Sequence, residues 1–255
     1  MTRIGLAGLG VMGTAVGRRL VGCGATVTAV DVRAGARAAW QATADTPALA
    51  SVADAGPQDA WFVLVRTGAQ AAAVVDDLAA GTGGSSRTVP VYVLTTLRPD
   101  EAEALGGSAA VPAWPVAVSG GEPAALRGQL VAAVPDALPP ADRQLLRATV
   151  AAHLVDMGGP RQVALAKALV NAMISYQFRA LERLVRAAEE GGVAPAAWFD
   201  LLQRSSAGSP ALAAVLTYDA ALAEADEAVT ASLGPVGPVD VGLSLAEVRR
   251  RLRLP

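Results

Sequence analysis

The sequence predicts an α/β protein in two parts, a doubly wound parallel sheet followed by an all-α region built on a long inter-domain helix. Three observations carry this. Short apolar runs alternate with helical stretches as far as Gly158. Gly8, Gly10 and Gly13 punctuate the passage from the first apolar run to the first helical stretch. After Gly158-Gly159-Pro160 the strand signal stops and one long helical periodicity takes over.

In chain order, Arg3–Ala7, Thr26–Asp31, Ala60–Arg66, Val89–Thr95, Val116–Ser119, Gln129–Val134 and His153–Met157 read as strands. Val11–Val21, Ala34–Ala42, Ala69–Ala80, Asp100–Leu105 and Pro139–Ala151 read as helices between them. Alternation of this kind gives a mostly parallel sheet with helices on both faces. Gly81–Ser86 reads as a surface loop. From Arg161 to about Gly191 no proline or glycine interrupts the helical pattern. Leu165, Leu169, Ala172, Met173, Tyr176, Ala180 and Leu184 recur along it, and Gly191-Gly192 ends it. Pro195–Gln203, Pro210–Ala225 and Leu243–Leu252 read as shorter helices. The expected domains are therefore residues 1–158 and 159–255.

Composition narrows the function. The chain has 255 residues, 53% of them hydrophobic and 17% charged, with a formal net charge of −2. Such a balance provides no basic field for a nucleic-acid partner. The longest uncharged run, Ala104–Gly121, holds Pro112, Pro115 and several glycines, and makes a poor membrane span. The N-terminal apolar stretch has its glycines spaced for another purpose and is cut by Arg18-Arg19, so a secretory signal is not expected. The expectation is a soluble cytoplasmic protein. Cys23 is the single cysteine, which rules out an intrachain disulfide and thiolate-rich metal sites, and it reads as a small buried thiol. His153 is the single histidine and reads as structural, so no metal cluster is expected.

The opening RIGLAGLGVMGTAVGRRL places G-x-G-x-x-G directly after a strand and at the start of a helix. Gly8 permits the tight turn, Gly10 lets a pyrophosphate approach the backbone, and Gly13 lets the helix pack closely on the strand. The helix N-terminus then faces phosphate charge, with Leu9, Val11 and Met12 in the same turn. This is the Rossmann arrangement for a dinucleotide. Asp31 ends the second strand at the offset of a ribose-binding carboxylate, which favours NAD because it repels a 2′-phosphate. Arg33, two residues on, keeps NADP open.

With these motifs the chain resembles the β-hydroxyacid dehydrogenase family, the group of 3-hydroxyisobutyrate and 6-phosphogluconate dehydrogenases. IGLAGLGVMG is similar to the family's opening. VLTTLRP (Val93–Pro99) resembles its segment near the nicotinamide, with Thr95-Thr96 in the Ser/Thr places. SGGEPAALRGQL (Ser119–Leu130) resembles its substrate-binding segment, and GGPRQVALAKALVNAM (Gly158–Met173) the segment of its catalytic lysine. The resemblance implies cofactor contacts at Val65, Arg66 and Thr96, substrate contacts at Ser119, Gly120 and Gly121, catalysis by Lys167 with Asn171, and a homodimer. The residues agree in part. Lys167 is an isolated lysine in VALAKALV, where burial lowers its pKa, and Asn171 shares its helix face.

The chain departs from the family at Pro115-Val116-Ala117, at Arg66 in LVRT, and at Val239, which stands where a lysine is usual. The sequence given ends at Pro255, short of the family's further helix. A more open and less cationic substrate site is expected. The reading is an oxidoreductase passing hydride between a nicotinamide and a small hydroxyacid or carbonyl compound. An imine reductase and a cofactor-binding protein without turnover are the alternatives.

Overall fold

The computed structural model of the chain describes residues 2–44, 46–81, 89–106, 111–209 and 212–213. Its main sheet has the order β3-β2-β1-β4-β5-β6, with every pairing parallel. The strands are β1 (Arg3–Ala7), β2 (Thr26–Val30), β3 (Ala48–Leu49), β4 (Ala60–Val63), β5 (Val91–Val93) and β6 (Ala113–Pro115). A smaller sheet, β7-β8-β9, joins β7 (Ala117–Ser119) antiparallel to β8 (Leu130–Val134), which runs parallel to β9 (Ala151–Asp156).

Side-chain alternation divides the core into two layers. Ile4, Leu6, Phe62 and Tyr92 pack with Val16 and Leu20 of α1 (Val11–Gly22), Trp40 of α2 (Ala34–Ala44), Ala125 of α5 (Gly121–Arg127) and Leu146 of α6 (Pro140–Thr149). Ala7, Trp61, Val63 and Val93 pack on the opposite face. There they meet Val75 of α3 (Gly68–Gly81), Ala102 of α4 (Pro99–Gly106) and Ala164 of α7 (Pro160–Glu190). Two tryptophans need glycine neighbours. A Cβ on Gly17 would lie 2.5 Å from the Trp40 ring, and one on Gly5 would lie 2.3 Å from Trp61. Trp40 also donates its indole N–H to Thr46 Oγ1 at 2.7 Å, so its one polar atom is satisfied.

The structure corrects several expectations. β3 and β6 are additional strands. The first is too short to leave a period, and the second ends on Pro115 at the sheet edge, where a missing N–H is tolerated. β4 and β5 stop at Val63 and Val93, short of the expected Arg66 and Thr95, because the chains separate into loops there. Cys23 is exposed rather than buried, since it caps α1 at the surface with its N–H on Arg19 O and Leu20 O. His153 is exposed as well, on β9. The expected helix Leu243–Leu252 lies outside the described residues, as do Val239, nearly all of Pro210–Ala225 and the loop after Gly81.

The chain divides into two compact units, Met1–Lys167 and one beginning at Ala168. The division falls inside α7, whereas the sequence reading places the junction at Gly158. In the second unit Leu181 and Val185 of α7 join Phe199 of α8 (Pro195–Arg204) and Leu212 in a small core. Gly192, at φ +72°, turns the chain after α7. Along the middle of this helix Leu169, Met173 and Tyr176 are 60%, 59% and 67% exposed, an apolar stripe of unusual extent. No helix among the described residues is long and apolar enough to cross a membrane.

Candidate functional site

The glycine turn leaves the sheet at the C-terminal end of β1. Gly8 has φ +100°, and a Cβ there would come within 2.2 Å of the Leu64 carbonyl. A Cβ on Gly13 would meet the Gly8 carbonyl at 1.9 Å. Both glycines are therefore demanded by the protein's own packing. Gly10 differs, because nothing lies within 4 Å of the Cβ it lacks. It caps α1 with extended backbone and no side-chain hydrogen bond, so the first N–H groups of the helix are offered to the space above it. Open space over one glycine, beside an uncapped helix N-terminus, fits a pyrophosphate. Leu9 is buried in the core while its N–H points the other way, to Asp31. Val11 is exposed and Met12 half-buried.

Asp31 follows β2 and is buried. Its Oδ2 accepts the Leu9 N–H at 2.8 Å and Arg33 Nη2 at 3.0 Å, while Oδ1 accepts the Arg33 N–H at 2.8 Å and Arg33 Nε at 3.1 Å. Burial alone would raise this carboxyl. The Arg33 side chain and the two backbone N–H groups outweigh it and hold the group below the usual carboxylate range. Arg37 lies alongside, its Nη1 donating to the carbonyls of Asp31 and Val32 at 2.8 and 2.9 Å.

The loops after β4 and β5 flank the same edge. Thr95 Oγ1 accepts the Val65 N–H and donates to the Val65 carbonyl, both at 3.0 Å. One hydroxyl thus continues the β4–β5 ladder for a step beyond the point where backbone pairing ends. Val65 is half-buried, and Arg66 and Thr96 are exposed beside it. Thr67 and Gln70 then start α3 with reciprocal capping bonds, each at 3.2 Å. Sequence reasoning placed Thr96 at the cofactor and passed over the clamp made by Thr95. The spacing of Thr95 and Val65 carries no signal of it, since the contact exists only where the loops after β4 and β5 meet.

Ser119 ends β7, followed by Gly120 at φ +129° and Gly121 at φ +69°. A Cβ on Gly120 would come within 2.7 Å of Ala124, so this turn is also set by packing. Lys167, two turns into α7, donates from Nζ to Ser119 Oγ at 3.3 Å. It is half-buried, has no carboxylate partner among the described residues, and burial pushes its ammonium down to about 8. Two sequence-distant segments are thereby joined, 48 positions apart. Asn171 follows one turn later on the same helix, in the second unit. No group of His, Cys, Asp and Glu suited to a metal ion occurs among the described residues.

A glycine turn open over Gly10, a carboxylate at the end of β2 and a parallel sheet reversing its strand order between β1 and β4 define an NAD-binding Rossmann domain of the oxidoreductase type. A family model described as the NAD binding domain of 6-phosphogluconate dehydrogenase matches residues 3–158. The chain belongs to that family, within the β-hydroxyacid dehydrogenase group. Solved structures agree on the fold. The 3-hydroxyisobutyrate dehydrogenase of Salmonella typhimurium is 20% identical with a TM-score of 0.75, covering 100% of this chain and 89% of that one. The Mycobacterium tuberculosis 3-hydroxyisobutyrate dehydrogenase with L-serine is 23% identical with a TM-score of 0.68, covering 83% and 73%. The V8 variant of an imine reductase from Myxococcus stipitatus, in complex with NAD+, is 19% identical with a TM-score of 0.64, covering 91% and 86%. A search of the curated proteins finds no match.

Proposed function

We propose that this chain is an NAD(P)-dependent oxidoreductase acting between a hydroxyl compound and its carbonyl, with Lys167 as the acid–base group. The observation that carries this reading is the Lys167–Ser119 contact at 3.3 Å, made by an amine whose pKa burial brings close to neutrality. In the oxidative direction the neutral Lys167 amine takes the proton from the substrate hydroxyl. The bound nicotinamide supplies the hydride acceptor, and the product is a carbonyl compound. Ser119, with the N–H groups of Gly120 and Gly121, holds the substrate, and Asn171 orients its hydroxyl. Gly8, Leu9, Gly10, Val11, Met12 and Gly13 carry the pyrophosphate turn, with Asp31 at the ribose and Val65, Arg66 and Thr96 along the nicotinamide half.

Lys167→Met tests the assignment. Turnover is expected to fall about a hundredfold or more while NADH still binds. An unchanged rate at saturating substrate removes Lys167 from the chemistry. The substrate is expected to be larger or less charged than a small hydroxyacid, since Val239 provides no second cation. A panel of small hydroxyacids, bulky alcohols, ketones and imines checks this, and high activity confined to the small acids refutes it. Preference for imines supports the imine reductase reading. NADH binding without turnover of any compound supports a cofactor-binding protein.

A further inference from the structure

On the reading that the loops after β4 and β5 line the nicotinamide half of a dinucleotide, we infer that Glu101 is a positioning residue for the cofactor. It ties the loop after β5 to the first turn of α3, and so fixes the two segments that carry Arg66 and Thr96. Glu101 stands in the first turn of α4. Its Oε2 accepts the Arg98 N–H at 2.8 Å, and its Oε1 meets Arg98 Nη2 at 3.1 Å. The carboxylate also lies against α3, because a Cβ on Gly68 would fall on it. Gly68 is buried, opens α3 and has no positive φ. Backbone conformation therefore does not call for glycine there; the Glu101 side chain does. A carboxylate beside the first turns of two helices is favoured by the positive end of each dipole.

Glu101 completes a frame around both loops. Thr95 holds Val65 by its N–H and its carbonyl, and Gln70 Oε1 accepts the N–H groups of Arg66 and Thr67 at 3.0 and 3.2 Å. Arg66 therefore lies between Val65, fixed by Thr95, and Gly68, backed by Glu101. Thr96 lies between Thr95 and Arg98, with Leu97 buried in the core and the Arg98 N–H held by Glu101. Thr95 ties the loops at their near ends, beside the sheet; Glu101 ties them at their far ends, beside the helices. The two exposed residues proposed for the nicotinamide half are each flanked on both sides by anchored backbone. Loops held in this way need no ordering when the ligand arrives, which favours affinity. Loss of Glu101 frees the far ends. The adenosine half is left to the glycine turn and Asp31, so the effect is confined to the nicotinamide half.

The test is calorimetric titration of the full chain with NADH and with ADP-ribose, which lacks the nicotinamide. The wild type is expected to bind NADH the more tightly. Glu101→Ala should weaken NADH about tenfold, the scale of a charge-assisted hydrogen bond, and leave ADP-ribose within about twofold of the wild type. Glu101→Gln keeps an oxygen for the Arg98 N–H in the same space and should restore most of the affinity for NADH. Gly68→Ala puts a methyl group where the carboxylate lies and should show the same selective loss. Added to Glu101→Ala, it should cost nothing further, because the two changes break one contact. Should Glu101→Ala fail to fold, Gly68→Ala and Glu101→Gln carry the same comparison. Equal loss of NADH and ADP-ribose would mark a general structural role and overturns the inference. So does an unchanged affinity for NADH, a loss in Glu101→Gln as large as in Glu101→Ala, or wild-type binding of NADH no tighter than ADP-ribose. In each of these the cofactor reading stands. If the wild type binds neither ligand, the cofactor reading falls, and the inference falls with it.

Discussion

The pH dependence of turnover follows from one buried amine. Lys167 has no counter-ion among the described residues, and burial brings its pKa from 10.5 to about 8. At pH 7 an amine of pKa 8 is neutral in roughly one molecule in eleven, against about one in three thousand for an unperturbed lysine, a gain of about three-hundredfold in competent base. The oxidation rate is therefore expected to rise about tenfold between pH 7 and pH 9 and to level off above. The reductive direction needs the ammonium form and should fall through the same range. The assay is kcat against pH in both directions, at saturating cofactor and substrate, with Lys167→Met as the reference for background. Stability carries the same signature with a definite sign. Between about pH 8 and 10.5 the unfolded chain holds a proton on Lys167 that the folded chain has lost, so wild-type stability should rise with pH across that window. Lys167→Met should lack that rise in urea titrations. A kcat inflection near pH 10, or profiles that move in the same direction for oxidation and reduction, would refute the assignment of Lys167 as the exchanging group.

Other predictions separate packing from binding. Gly10→Ala should fold with wild-type stability and lose cofactor affinity, because its Cβ meets no protein atom, whereas Gly13→Ala should lose stability through its clash with the Gly8 carbonyl; thermal melts with and without NADH tell them apart. Thr95→Val removes both hydrogen bonds to Val65 and should weaken NADH binding about threefold to tenfold, with Thr95→Ser restoring it. Equal loss in the valine and serine variants would show that the hydroxyl is not what positions the loop. The apolar stripe of Leu169, Met173 and Tyr176 is expected to be covered by a second copy of the chain, giving a dimer by light scattering at micromolar concentration. Met173→Glu should shift it toward monomer, and a monomeric wild type would count against this use of the stripe.

What the sequence by itself determined was whatever depends on local pattern. Alternating apolar runs specified the parallel strands, because each buried strand carries its own signal. The glycine spacing specified the dinucleotide turn, because Gly13 is required by a contact five residues back, with the Gly8 carbonyl, although the Leu64 carbonyl that requires Gly8 comes from a distant strand end. Lys167 stood out as a lone charge in the apolar stretch VALAKALV. Tertiary structure decided what depends on distant segments meeting. Nothing in the spacing of Thr95 and Val65 announced that one hydroxyl would hold the peptide of another loop. The short strands Ala48–Leu49 and Ala113–Pro115 exist only because a neighbouring strand supplies their hydrogen bonds. The charge on Asp31 was legible, but its neutralisation was not, since this needs the Arg33 side chain to fold back and the Leu9 N–H to arrive from another strand end. Local sequence sets which groups are present; only the folded chain sets which of them are already satisfied, and the unsatisfied remainder is what a ligand meets.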